Sequence, residues 1–375
     1  MAVEIGTASN ARDLVSKLEK FLTTNPELVQ ANQAWEVIKD SDGGEELVHL
    51  PTYPKEAADG SLGWTARRRF VGHGLDGEDT IVVPMALYIN TQYSITSLCA
   101  IHAVVSNKNI DFTEHFGVRW GAYRSEPFLV SIPLANEAIP YWFVANGRRF
   151  IIVAKVGGYY MSMYCGFMLQ FGTDLENPSP IYIGGSCNDH RALIPLNDEQ
   201  LPSEYKKNLA IFPYGGFHDP VITHWPKGAV YYTESTSCLC NAPDGKVVVF
   251  HNGALFRRFN TKDRLVTGAL LPYRYVTGNT SSTLAEVTPT GDNDAPPYGV
   301  AVNGDYVLLP IELFAEIDGD TNREISTTLG WLQGAYFVSG VNNTPEKELI
   351  IDNKRYLCFP SMRNTTRSWF ALLME

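Results

Sequence analysis

The sequence predicts a mainly β protein: antiparallel sheets of sandwich or barrel-like form, built from hairpins, behind a short N-terminal helical segment. Three observations carry this expectation. Beyond the first 40 residues Val and Ile become frequent at period two, and Gly, Pro and Asn punctuate the chain at intervals of about ten residues. Four Asn-led turn dipeptides sit between strand-like runs. Aromatic residues make up 12% of the 375 residues, with 19 Tyr, 18 Phe and 7 Trp, and such side chains pack well on a pleated surface.

Residues 1–40 read as helical. Ser9 or Asn10 can cap a helix on which Ala11, Leu14, Leu18 and Phe21 or Leu22 recur at helical spacing. A second short helix is expected from Pro26 to Ala34, with proline at the start, where its missing N–H costs nothing. Residues 41–276 are expected to form the main β domain. The stretch 277–297, "TGNTSSTLAEVTPTGDNDAPP", reads as a linker or long surface loop, and 298–375 as a small C-terminal β unit. Asn188 to Tyr205 is a further polar loop.

The hairpins can be given registers. In "IPYWFVANGRRFIIVAKV" (139–156) a turn centred on Asn146-Gly147 pairs Ala145 with Arg148, Phe143 with Phe150 and Tyr141 with Ile152. The other face then pairs Val144 with Arg149 and Trp142 with Ile151. Both central positions of a type I′ turn need positive φ, which Asn-Gly supplies. Both faces are apolar away from the turn, so this hairpin should lie centrally and be covered on each side. The same device recurs at Asn252-Gly253 (Phe250 with Leu255), Asn303-Gly304 (Ala301 with Tyr306) and Asn353-Lys354 (Ile351 with Tyr356).

Composition narrows the function classes. The chain is 45% hydrophobic and 19% charged, so it is ordered, and its length suits two or three domains. Few charges with many aromatics suit either a surface partly covered by partners or a large β protein with its aromatics in sheets. The formal net charge is −11, and no Lys/Arg run exceeds Arg67-Arg68-Arg69, so nucleic acid is not an expected partner. No targeting signal is recognisable and no window of about 18 apolar residues occurs, so no membrane span is expected. Six scattered cysteines without a secretion signal suggest a reduced compartment.

No catalytic, cofactor-binding or metal-ligating residue is nominated, and no cofactor is implied. Cys187, His190, Cys238 and Cys240, with His218 and His224 between, are the nearest approach to a metal set. Their spacing is irregular for zinc, and buried free thiols are the expectation. Asp318, Asp320 and Asn322 alternate like a calcium loop, but the sixth position from Asp318 is Arg323 and the twelfth Leu329, where Gly and Glu are needed. The paired glycines of "VGGYYMSMYCGF" and "YIGGSCNDH" lack the following helix that a phosphate loop requires.

One resemblance can be stated. "IPYWFVANGRRFIIVAKVGGYYMSMYCGFML", with "YIGGS" a short loop later, resembles a family of structural proteins of tailed bacteriophages. The opening "TASNARDLVSKLEKFLTTNPELVQANQAWEVI", with its "ANQAWEV" element, is similar to the family's helical start. "LGWLQGAYFVSGVNNTPEKELIIDNKRYL" is similar to its C-terminal unit. The resemblance implies a non-enzymatic virion subunit of the tail, baseplate or neck (head–tail) region, assembled in the host bacterial cytoplasm. Its partners would be other virion proteins, and symmetric self-association is expected. Two other readings stay open: a receptor- or glycan-binding module at the tail tip, and a virion-associated hydrolase. Arg148 and Arg149 flank the central turn on opposite faces and cannot clamp one ligand together. Either can reach a neighbouring subunit's carboxylate, which makes them the candidate inter-subunit contacts.

Overall fold

The computed structural model describes residues 1–39, 42–49, 62–75, 80–90, 95–101, 104–105, 129–170, 181–186, 237–241, 247–251, 259–261, 264–271, 306–318, 324–360 and 369–375. The chain opens with strand β1 (Ala2–Ala8), then helices α1 (Ala11–Thr24) and α2 (Pro26–Gln30). Next come β2 (Glu36–Ile38), β3 (Val48–His49), β4 (Leu62–Gly72), β5 (Ile81–Asn90), β6 (Ile95–Ile101), β7 (Val104–Val105) and β8 (Leu129–Leu134). β9 (Ile139–Asn146), β10 (Arg149–Val156), β11 (Tyr159–Phe167), β12 (Leu169–Gln170) and β13 (Ile181–Gly185) follow. The last are β14 (Ser237–Asn241), β15 (Val247–His251), β16 (Phe259–Thr261), β17 (Arg264–Leu271), β18 (Leu309–Asp318), β19 (Glu324–Val338), β20 (Glu348–Ile351), β21 (Lys354–Pro360) and β22 (Trp369–Leu373).

The protein is mainly β, with a short N-terminal helical segment, as its composition and periodicity predict. It contains a five-stranded sheet ordered β1-β9-β10-β11-β13, and a seven-stranded sheet ordered β2-β4-β5-β6-β8 with β3 and β7 at its side. An eight-stranded sheet ordered β16-β17-β18-β19-β22-β21-β20 carries β12 on β19, and β14 pairs β15 as a ribbon. The described registers are antiparallel, and no closed barrel occurs among the described residues.

Two compact units divide the chain: Met1–Phe167 with Ile183–Ile211, and Met168–Tyr182 with Phe212–Glu375. In the first, α1 forms as its pattern requires. Asn10 caps it by accepting the Asp13 N–H, and Ala11, Leu14, Val15, Leu18, Phe21 and Leu22 make its buried stripe. That stripe lies against the five-stranded sheet, where the Phe21 and Phe143 rings are 5.6 Å apart. Phe70 of β4 meets Phe150 of β10 edge-on at 5.8 Å, which joins the two sheets of this unit. Each such ring, fully withdrawn from water, contributes roughly 2 kcal/mol. In the second unit Val338, Tyr356, Cys358, Trp369 and Ala371 form a core cluster. Burial pushes the Cys358 thiol up to about 11 there, so it behaves as a small apolar side chain.

The structure corrects several local expectations. Residues 1–40 begin with a strand, and α2 ends at Gln30, short of Ala34. The β9–β10 hairpin is central and buried on both faces, but Asn146 pairs with Arg149, Phe143 with Ile152 and Trp142 with Val153. The two-residue loop is therefore Gly147-Arg148, and the register differs from the expected one by two residues. A shift of two keeps every side chain on its expected face. Near the C-terminus Ile351 pairs with Lys354, so the loop is Asp352-Asn353. Both residues have positive φ, 53° and 59°, which makes this the type I′ hairpin. The Asn252-Gly253 and Asn303-Gly304 turns and the 277–297 stretch lie outside the described residues.

Candidate functional site

The "ANQAWEV" and "IPYWFVANGRR" segments, more than 100 residues apart in the chain, meet in space. Trp35 of "ANQAWEV" lies over the turn end of the β9–β10 hairpin, 5.1 Å from the Phe150 ring and edge-on to it. Its indole Nε1–H donates to the Asn146 carbonyl at 2.8 Å, and its own backbone N–H donates to the Leu22 carbonyl at the end of α1. Gln33 Oε1 accepts the Gly147 N–H at 3.3 Å, and the Gly74 N–H donates to the Gly147 carbonyl at 3.0 Å. α1, the segment after α2, the end of β4 and the β9–β10 turn are thus tied together.

This packing explains the glycine. Gly147 does not adopt positive φ. A β-carbon there would overlap the Gly74 carbonyl oxygen, so glycine is present for close backbone approach. Asn146 supplies the turn instead: its Oδ1 accepts the N–H groups of Arg148 at 2.9 Å and Arg149 at 3.0 Å. Asn at the first position with no positive φ following is the chemistry of a type I turn, not of type I′. Gly147→Ala is expected to destabilise the first unit by about 3 kcal/mol, since a methyl is forced onto backbone. Urea unfolding followed by amide exchange in β9 and β10 measures it, and an unchanged midpoint would show that the Gly74 backbone can move aside without cost.

The arginines of this turn go different ways. Arg148 is half-buried, with its guanidinium carbon 5.3 Å from the centroid of the Phe167 ring. Arg149 is 1% exposed, with one guanidinium nitrogen 3.5 Å from Met1 Sδ. Of the two, Arg148 is the more accessible to solvent.

A denser charge cluster lies on the α1 side of β4. Arg67, Arg68 and Arg69 are all buried. A β-bulge between Thr65 and Arg68, with Ala66 at φ 50°, breaks the strand's alternation. The Arg67 N–H leaves the ladder and donates to the Gly44 carbonyl at 2.7 Å. Arg67 also pairs with Asp42 at 2.7 Å. Arg68 pairs with Glu19 of α1 at 2.7 Å and with Glu45, and donates to the Gly43 carbonyl at 3.1 Å. Lys39 and Arg12 complete the set through Glu19 at 2.6 Å and Glu45 at 3.0 Å.

The electrostatics follow this geometry. Burial raises the Glu19 pKa, but hydrogen bonds from Lys39 and Arg68, with their charges, outweigh it and leave the carboxyl below its ordinary range. Burial likewise opposes the Asp42 carboxylate, and the Gly44 and Glu46 N–H groups with the Arg67 charge lower its pKa overall. The Tyr141 hydroxyl is pushed up by burial and by its 2.7 Å hydrogen bond to the Glu4 carboxylate. Sequence reasoning weighed Arg67-Arg68-Arg69 only as a nucleic-acid patch, and missed this cluster. The nearby "DSDGGEE" acids were the available signal for internal pairing.

Cys238 and Cys240 lie in β14, while Cys187, His190, His218 and His224 lie outside the described residues. Among the described residues no group of His, Cys, Asp and Glu could hold a metal ion. No described helix is long and apolar enough to cross a membrane. In comparisons with known proteins, no family model and no curated protein matches the chain.

Proposed function

We propose that the protein is a non-enzymatic structural subunit of a tailed-phage virion, in the tail, baseplate or head–tail region, acting by ring formation or by bridging neighbouring virion proteins. One observation supports this above the others. The "ANQAWEV" and "IPYWFVANGRR" segments, far apart in the chain, are direct packing partners through Trp35, Gln33, Asn146 and Gly147. Resemblance in both is therefore resemblance in one piece of architecture. The strongest charge cluster supports a scaffold role as well, because Arg67 and Arg68 are engaged by the chain's own carboxylates. The test is a phage in which the gene is deleted. Negative-stain images are expected to show heads without complete tails, or tails that fail to join. Complete tails on infectious particles would overturn the proposal.

A further inference from the structure

Two edge strands of the described sheets, β20 and β1, are not alike. β20, at the edge of the eight-stranded sheet, has four residues, and its Glu348 is held by Arg355 at 3.1 Å. Its Ile350 is 71% exposed, but a short edge carrying a charge is a poor template for another strand. β1, at the edge of the five-stranded sheet, is different. It has seven residues, "AVEIGTA", with no Lys, no Pro and no bulge in its pairing with β9. Ile5, at its centre, is 50% exposed. Its one charged residue, Glu4, is engaged by the Tyr141 hydroxyl of its own sheet.

The direction of the free backbone groups follows from the hairpin. Asn146 and Arg149 close a two-residue loop and so form a hydrogen-bonded pair. Along β9, then, Asn146, Val144 and Trp142 turn their N–H and C=O groups toward β10. Ala145, Phe143, Tyr141 and Ile139 turn theirs toward β1, where they face Ala2, Glu4, Gly6 and Ala8. The remaining residues of β1, Val3, Ile5 and Thr7, direct their backbone groups away from the sheet.

We infer that β1 is a self-association edge that pairs antiparallel with the β1 of a second copy of this chain, about a two-fold axis through Ile5. In that register Ile5 faces Ile5, and Val3 faces Thr7. All three are residues with outward backbone groups, so each pair exchanges both of its hydrogen bonds. Glu4 faces Gly6 and Ala2 faces Ala8, so no like charges meet. The side chains of Val3, Ile5 and Thr7 share one face and form a continuous branched stripe with their copies. The result is one sheet running through two protomers by strand addition. The inference goes beyond the virion reading and does not depend on it: an isologous pair of this kind holds whatever the assembly is for.

The test uses the full chain in light scattering at roughly 100 μM, because strand-edge interfaces of this size are weak. The wild type is expected at twice the mass of one chain. Ile5→Lys places two ammonium groups face to face on the axis, and Ile5→Pro removes an outward N–H that β9 does not use. Both are expected at the mass of one chain, with β9 amide exchange as in the wild type. Ile5→Cys is expected to give a cross-linked dimer with a short bismaleimide, beyond any cross-link the wild type's own cysteines allow. A wild type that stays single, an assembly that survives Ile5→Lys, or a dimer that position 5 fails to cross-link would each overturn the inference. Defective particles from the gene deletion, together with a monomeric wild type, would sink the edge pairing and leave the virion role standing.

Discussion

Trp35→Ala is expected to destabilise the N-terminal unit by about 4 kcal/mol, the cost of removing a large aromatic side chain from a packed site. Trp35 is almost fully buried, between Phe150 on one side and the backbone of Gly72 on another. It links three elements that are distant in sequence: the end of α1 through Leu22, the β9–β10 turn through Asn146, and the end of β4 through Gly72. Its loss should therefore release them together. Hydrogen exchange should show the amides of α1, β9 and β10 losing protection by a common factor, while those of β21 and β22 in the second unit keep theirs. Trp35→Phe separates the contributions. It keeps most of the ring and removes the N–H, and should cost about 1 kcal/mol for the lost bond to the Asn146 carbonyl. If Trp35→Ala altered only α1 protection, the tie between helix and hairpin would be refuted.

The elements that were legible in the sequence are those whose signal is local. α1 was readable because its cap and its apolar stripe lie within its own residues, and Asn10 with Leu14, Leu18 and Phe21 fell where the period puts them. The buried, two-faced character of β9 and β10 was readable for the same reason. Turn centres were not. Asn-Gly normally marks the two central residues of a type I′ turn, but here Gly147 is selected by the Gly74 backbone, a contact no local pattern encodes. Asp352-Asn353 does form the type I′ turn, yet without the glycine that usually announces it. β1 carries its own signal in Val3, Ile5 and Thr7 at period two, but it is short and its partner lies far along the chain. The charge cluster was hidden by the bulge between Thr65 and Arg68, which takes Arg67 out of the ladder toward Gly44 and Asp42, a displacement that strand alternation does not encode.

That cluster gives the second large effect. Arg68→Met is expected to cost about 3 kcal/mol at pH 7, because it removes the shared cation from Glu19 and Glu45 and leaves the Gly43 carbonyl without its donor. The figure stays at the lower end for a buried pair, since Lys39 and Arg12 still neutralise the two carboxylates in part. The pH dependence has a definite sign. Glu19 has a folded pKa below its unfolded value, so its contribution is fully present above the unfolded value of about 4.3 and is lost as pH falls through the folded one. Wild-type stability should therefore fall as the solution is taken from about pH 5 toward pH 3. In Arg68→Met the Glu19 carboxyl loses a hydrogen bond and a neighbouring positive charge, so its folded and unfolded pKa values draw together. The penalty of the substitution should be largest at neutral pH and shrink in acid, where a protonated Glu19 no longer needs the guanidinium. Urea unfolding of both chains at pH 7 and at pH 3, followed by exchange of the α1 amides, measures the difference. A penalty that is the same at both pH values would mean that Arg68 stabilises through its hydrogen bonds to the Gly43 and Arg67 carbonyls alone. The loop at 42–46 would then be held to β4 by Arg67, Asp42 and the close approach of Gly44, not by the Glu19–Arg68–Glu45 bridge.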